Sequence, residues 1–427
     1  MNPNEICSAA CFAAADILLP DFSKVDGTRW AVVACDQYTS EPEYWARAEA
    51  AVGDAPSTLR MILPEVYLDE KEARVPKINA AMKAYLASVL QEHPNAMIAL
   101  ERTQSDGTVR RGILGTVDLE CYDFRRGSDA LIRATEGTVL ERIPPRVEIR
   151  RDAPVELPHV MLLIDDPKRT VIEPILGSCA DREPLYDFDL MLGGGHVRAH
   201  RLEQAEQAAV QAALPALTEP KEIEAKYGDR TLAPLLFAVG DGNHSLAAAK
   251  AAYEEIKSRI GADAAKDHPA RYALVELVNL HDDALQFEPI YRAVFGADQK
   301  ALLRELRQAL AALNGSAAAQ SIRCVTADGE TDFSVPHPVQ QLAVGTLQAF
   351  LDAYVAEHPE VTVDYIHGED SLRTLVEREN AVGFLFEGMR KDELFRTVIF
   401  DGALPRKTFS MGHAPDKRYY LECSRIQ

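Results

Sequence analysis

What this 427-residue chain lacks narrows its function before any motif is read. It has no apolar run approaching the roughly 20 residues needed to cross a bilayer. It has no surplus of basic residues: 46 Lys and Arg stand against 66 Asp and Glu, a formal net charge of -20. A field of that sign repels phosphate backbones and anionic lipid, so neither nucleic acid nor a membrane surface is an expected partner. A small-molecule substrate is. Cysteines are seven, an odd number, and Cys7 and Cys11 have no second close pair to complete a zinc site. Reduced, buried thiols in a cytoplasmic protein are the expectation. The opening MNPNEICSAACFAAADILLP has no basic lead-in and is broken by Asp16, so it reads as an amphipathic helix rather than a secretory signal. Cofactor fingerprints are missing as well. Gly193-Gly194-Gly195-His196 lacks the Gly-Lys-Ser/Thr ending of a phosphate loop, and a basic strand follows it where a dinucleotide fold needs a helix. A hairpin turn is the better reading.

What remains is ordinary globular material, 47% hydrophobic and 26% charged, on a chain too long for one core. Strand and helix signals alternate along it. RWAVVACDQYT reads as a strand with a polar exit, PKINAAMKAYLASVLQEHP as a helix, and AMIALERTQSDGTVRRGILGTVDLECY as a hairpin turning at Asp106-Gly107. PHVMLLIDDP is a buried strand ending in two acids, and LEQAEQAAVQAALPAL is a helix. Further on, KALLRELRQALAAL is a helix, another begins near Leu342, and AVGFLFEGM and LFRTVIFD read as strands. The fold class expected is α/β or α+β, with mixed sheets and flanking helices. Three stretches suggest themselves: 1–129, 130–300 and 301–427.

The most informative segment is LLFAVGDGNHSLAAAKAAYEEIKSRI, from Leu235. An apolar strand ends at Gly240, five small or polar residues follow, and an Ala-rich helix begins. A helix N-terminus carries unpaired N–H groups and partial positive charge, so such a turn receives anions. Gly242 allows a left-handed backbone or close approach to a ligand. Asn243 or Ser245 can cap the helix. His244 can donate to a phosphate oxygen or shuttle a proton. Asp241 suits Mg²⁺ binding, acceptance of a hydroxyl proton, or orientation of His244. Capping alone is the bland alternative.

These residues resemble the Asp-Gly-His-His-Arg signature of domain-of-unknown-function family 1015. Four more stretches follow that family's order: RRGILGTVDLECY, IRATEGTVLER, LVNLHDDALQFEPIYRAV and LPRKTFSMGHAPDKRYY. The signature is also remotely similar to the phosphate-holding turns of the ParB, sulfiredoxin and free-serine kinase superfamily. That second resemblance implies a ParB/sulfiredoxin-like central part and an ATP- or ADP-using phosphotransferase acting on a small hydroxyl compound, with Mg²⁺ as a candidate cofactor. Where the family has His-His-Arg, this chain has Asn243-His244-Ser245. Loss of the arginine removes a phosphate clamp of about 1.5–3 kcal/mol. Arg133, Arg142, Arg146, Arg198 and Lys407 are possible substitutes.

The resulting expectation is an enzyme in which Gly242, Asn243 and Ser245 hold a phosphate and His244 donates to it. Asp241 and Glu136 divide metal binding and hydroxyl activation, with Thr138 hydrogen-bonding substrate. Arg292 and Lys407 balance charge. Asp36, in the strand-exit loop of VACDQYTSEPEYW, is a further binding candidate. Cys35 beside it lacks a cation to lower its pKa and is not expected to be a nucleophile. Asp165-Asp166 could bind Mg²⁺ or simply end a strand, and His196 and His367 fit turn and helix-start roles. The alternative to an enzyme is a nucleotide or phospho-metabolite sensor that binds without turnover.

Overall fold

Alternating apolar runs become strands in two separate units of the computed structural model, which describes residues 10–138, 141, 143–379 and 381–427. The first unit runs to Ala134, takes in Thr138–Leu285 and returns as His413–Gln427; the second is Thr135–Gly137 and Gln286–Gly412. The sequence-drawn cuts after 129 and 300 do not anticipate the return of the tail to the first unit, which depends on long-range pairing.

A ten-stranded sheet carries the first unit. Numbered along the chain, its strands are β1 Phe12–Ala13, β2 Ile98–Thr103, β3 Val109–Asp118, β4 Tyr122–Asp123 and β5 Ile132–Ala134. They continue with β6 Met161–Ile164, β7 Tyr186–Asp189, β8 His196–Arg201, β9 Phe237–Asp241 and β10 Tyr272–Asn279. The order is β7-β8-β2-β3-β10-β6-β9-β5-β4, with β1 on β3. The sheet is mixed: β6 runs parallel to β10 and antiparallel to β9, while β9 runs parallel to β5. Helix α1, Ile143–Arg151, and the eighteen-residue helix α2, Asn243–Ile260, pack on each other through Val147, Ala247, Ala248 and Ala252. The small alanine side chains permit that close approach. Near Trp30, Val32–Val33 pairs with Tyr419–Tyr420, so the tail joins the first unit's core.

Several expectations stand. The β2–β3 hairpin turns at Asp106-Gly107 with Gly107 at φ 86°. The glycine run before His196 is a hairpin turn between β7 and β8. Others need correction. The helix expected over the opening segment does not extend through its second half: Phe12–Ala13 and Ala15–Pro20 are strands, antiparallel to β3 and to Leu90–Ala96, while residues 1–9 lie outside the described residues. RWAVVACDQYT yields only the two-residue strand Val32–Val33, because Asp26 caps a short helix, Gly27–Trp30, ahead of it. LFRTVIFD is helix within Lys391–Asp401: Glu393 accepts the Arg390 N–H at 2.8 Å, and Leu394, Phe395, Thr397 and Val398 form one buried face. The cysteines are not all reduced, since Cys11 and Cys121 form a disulfide. Pairing of β1 with β3 brings Cys11 beside Asp118, whose N–H reaches the Cys11 carbonyl, and so beside Cys121. A separation of 110 residues hid that pair in the sequence.

The second unit is a six-stranded sheet with Phe287–Phe295 between Val382–Phe386 and Thr362–His367. Gln299–Ala311, Ala343–Glu357, Glu369–Glu379 and Lys391–Asp401 are its helices. Among the described residues, no helix is long and apolar enough to cross a membrane.

Candidate active site at a strand–turn–helix junction

β9 delivers the turn. Phe237, Ala238 and Val239 are buried, and Gly240 lies so close to Leu163 on β6 that a Cβ would come within 2.8 Å of its Cγ. Asp241 ends the strand opposite Met161, and Gly242 turns left-handed at φ 79°. A Cβ there would sit 3.0 Å from the Val160 Cα. Gly242 is the N-cap of α2 and, having no side chain, provides no side-chain cap. Expected capping by Asn243 or Ser245 is thus corrected. Asn243 and Ser245 already lie inside the first turn, and the Ser245 hydroxyl is turned to His159, with Oγ 3.2 Å from Nε2. Asp241 bonds the Gly242 N–H through Oδ1 at 2.8 Å, and its Oδ2 stands 3.3 Å from Lys417 Nζ.

Antiparallel pairing of β6 with β9 explains why His159, two residues ahead of β6, comes alongside this turn. Its Nδ1 lies 3.0 Å from the Tyr420 hydroxyl, which donates to Cys35 Sγ at 2.9 Å. In the neutral imidazole the tyrosine oxygen then accepts from Nδ1–H, and the Nε2 lone pair faces Ser245. Asp36 Oδ2 stands 3.8 Å from the same Nε2. Tyr420 and Asp36 arrive together because Tyr419–Tyr420 pairs with Val32–Val33.

Charge states follow from these neighbours. Burial works against ionised Asp36, yet His159, Gln37 and Lys417 outweigh it and hold the carboxyl below its ordinary range. Burial, then Asp36, pushes the Cys35 thiol up to about 12, in keeping with the expectation that it is no nucleophile. Burial also raises Tyr420, which stays a neutral donor. The junction thus brings Asp36, Asp241 and Lys417 together with an imidazole facing a hydroxyl.

Asp241, Gly242, Asn243, His244, Ser245 and Asp36 all belong to the first unit. Glu136, Arg292 and Lys407 belong to the second. Glu136 bridges to Leu404 there. Arg292, expected to balance phosphate charge, is fully buried and holds its own unit together. Its guanidinium donates to Gln348 Oε1 at 2.7 Å, to the Ile290 and Lys407 carbonyls, and to the Arg406 carbonyl. Lys407 is exposed. Thr138 Oγ1 is buried without a hydrogen-bond partner. Of the possible substitute cations, Arg142 lies outside the described residues. Arg133 donates to the Ala130, Ala233 and Pro234 carbonyls, Arg146 pairs with Glu65, and Arg198 pairs with Asp187. Among the described residues, Lys417, from the C-terminal tail, brings a cation to the turn.

The other sequence candidates resolve as structure. Asp165 is held by His281 at 2.7 Å and Lys226 at 2.9 Å, while Asp166 accepts the Val171 N–H. Both close the far end of β6. His196 lies between Asp187 and Asp189, and Glu369–Glu379 starts just after His367-Gly368. His159 and Tyr420 were missed. The one local signal for His159 is a histidine placed just before a wholly apolar strand.

Sheet and site together define a mixed α/β protein with a charged cluster at a strand–turn–helix junction. Residues 20–354 match the family described as "Protein of unknown function (DUF1015)", and the chain belongs to that family. No curated protein matches it. Among solved structures it is similar to a conserved hypothetical protein from Pyrococcus furiosus, at 11% identity over 70% of this chain and 89% of that one, TM-score 0.33. It is similar to a free serine kinase in complex with AMP, at 10% identity, 73% and 91% coverage, TM-score 0.37. A third is SbnI with a C-terminal truncation from Staphylococcus aureus, at 12% identity, 70% and 82% coverage, TM-score 0.32.

Proposed function

We propose that the junction binds the phosphate of a nucleotide or phosphate ester and transfers a phosphoryl group to a small hydroxyl compound. One observation carries this reading: an eighteen-residue helix begins at a left-handed glycine with no side-chain cap, beside Lys417. Oriented N–H groups and an ammonium at a strand exit are what a phosphate requires. Gly242 lets the phosphate approach the backbone, and Asn243 and His244 stand in the first turn of the helix. Phosphoryl transfer needs positioning and charge neutralisation more than covalent chemistry. Asp36 and Asp241 fit a Mg²⁺ that arrives with the phosphates, since that ion commonly takes one or two carboxylates and keeps its waters. Among the described residues no group of three or more His, Cys, Asp and Glu forms a protein-only metal cage. When bound, the ion would supply charge neutralisation at the phosphate.

A thermal-shift titration with ATP, ADP and phosphoserine, with and without Mg²⁺, tests the reading. Ligand at 100 times its Kd adds about 2.7 kcal/mol of stability. The expected result is a shift that His244→Ala and Lys417→Ala each reduce. No shift with any phosphate compound sinks the proposal. The sensor reading draws on the Lys417–Asp241 ion pair, which engages the acid before any substrate arrives. It predicts the same shift with no product formed.

A further inference from the structure

Behind the junction, within the first unit, lies a cavity of ≈ 190 Å³. Its walls are mainly apolar, with Met61, Leu63, Ile78, Met82, Val155 and Leu246 among them. The two arginines that line it already have carboxylate partners: Arg146 pairs with Glu65, and Arg150 Nη1 lies 2.5 Å from Glu156. Both acids line it too, so each guanidinium has a carboxylate partner, although Arg150 Nη2 and Asn79 Oδ1 are buried without a hydrogen-bond partner. A remaining part of the wall is polar and specific. Cys35, His159, Ser245 and Tyr420 form it, the same side chains that keep the Nε2 lone pair of His159 toward the Ser245 hydroxyl.

We propose that this cavity is the subsite for the phosphoryl acceptor, a hydroxyl compound with an uncharged apolar body about the size of a benzene ring, and that His159 receives its proton. The assignment rests on the phosphate reading of the junction. Size supports the body: an apolar cavity of about 150 Å³ takes up benzene. The mainly apolar lining, whose two arginines are already matched by Glu65 and Glu156, disfavours a zwitterion such as serine, which would lose water on both charged groups. Geometry supports the base. A hydroxyl at the polar wall meets Ser245 Oγ and His159 Nε2, and its proton passes to Nε2 directly or through the serine hydroxyl. The acceptor O–H bond breaks and a new O–P bond forms. The phosphoanhydride bond of a nucleoside triphosphate or diphosphate breaks, and the shortened nucleotide leaves with the electron pair. Tyr420 stabilises the imidazolium by accepting its Nδ1–H.

Benzyl alcohol is the probe. Calorimetric titration without nucleotide should show it binding to the wild type. Ala249→Leu and Ala248→Leu, two separate ways of filling the cavity from α2, should abolish binding while the unliganded protein still melts cooperatively. With nucleotide present, the wild type should form benzyl phosphate with kcat/KM at least about tenfold above that for serine. His159→Gln should lower kcat on the order of 10²-fold, a loss far larger than its effect on benzyl alcohol affinity, because the base acts on the transferred proton while the apolar wall holds the ring. No benzyl alcohol binding, binding that survives in every folded filling variant, or a preference for serine overturns the proposal. A nucleotide shift without benzyl alcohol binding removes the acceptor subsite alone. Benzyl alcohol binding with no shift from any phosphate compound removes the phosphate reading and the acceptor role with it.

Discussion

At the scale of single residues, Gly242 makes the sharpest claim. A left-handed backbone costs an L-residue roughly 1–2 kcal/mol, and a Cβ here also meets the Val160 Cα at 3.0 Å. Gly242→Ala should lower the urea midpoint without changing the slope, and should weaken any phosphate-induced shift. Asp36 makes a claim about pH. Its carboxyl is held below the ordinary range in the folded state, so its contribution to stability is complete above the unfolded value near pH ~4 and is lost as pH falls through the folded one. Asp36→Asn should therefore destabilise at pH 7 and cost progressively less on acidification, as parallel chemical melts of both proteins would show. The turn itself was legible in sequence because its chemistry is local: an apolar strand, a glycine and an alanine-rich helix are contiguous. His159 and Tyr420 were not, and Lys417 was legible only as part of a basic tail segment able to clamp an anion, not as a neighbour of the turn. Strand pairing brings His159 alongside the turn and Tyr420 to His159, and no short segment announces that meeting.

At the scale of elements, the tail explains how the site is held. Arg418 bonds Glu276 on β10 at 2.9 Å and Glu422 at 2.7 Å, and Arg110 on β3 completes the group at 3.2 Å from Glu276. Burial alone would raise Glu276, but Arg110 and Arg418 keep its carboxyl below the usual range. All four side chains are buried, so removing one charge leaves the others unmatched. Glu276→Gln should cost about 3–5 kcal/mol in denaturant unfolding. It should also loosen the anchoring of Lys417 and Tyr420, read as a weaker ligand shift. Periodicity predicted most long helices and the β2–β3 hairpin, yet it misassigned LFRTVIFD. That run is apolar enough for either state, and the Glu393 hydrogen bond to the Arg390 N–H together with the buried Leu394, Phe395 and Val398 decides for helix.

At the scale of the molecule, net charge and one covalent link set the behaviour. A charge of -20 predicts no duplex retention in a low-salt gel shift, and tight binding there would refute the small-molecule reading. The Cys11–Cys121 bond closes a loop with a sequence separation of 110, which on the chain-entropy argument stabilises by up to about 4.7 kcal/mol. Dithiothreitol should lower the melting temperature by several degrees, and Cys11→Ser should melt low with or without reductant. Composition, charge and local pattern were sufficient for the fold class and the Asp241–Ser245 turn, because each depends on neighbours along the chain, and the family followed from the resemblance of five ordered motifs. The disulfide, the Lys417–Asp241 pair, the His159–Tyr420–Cys35 chain and the return of the tail to the first unit depend on strand order in space. Strand order is set by which buried faces fit together across a hundred residues or more, and no short segment contains that information.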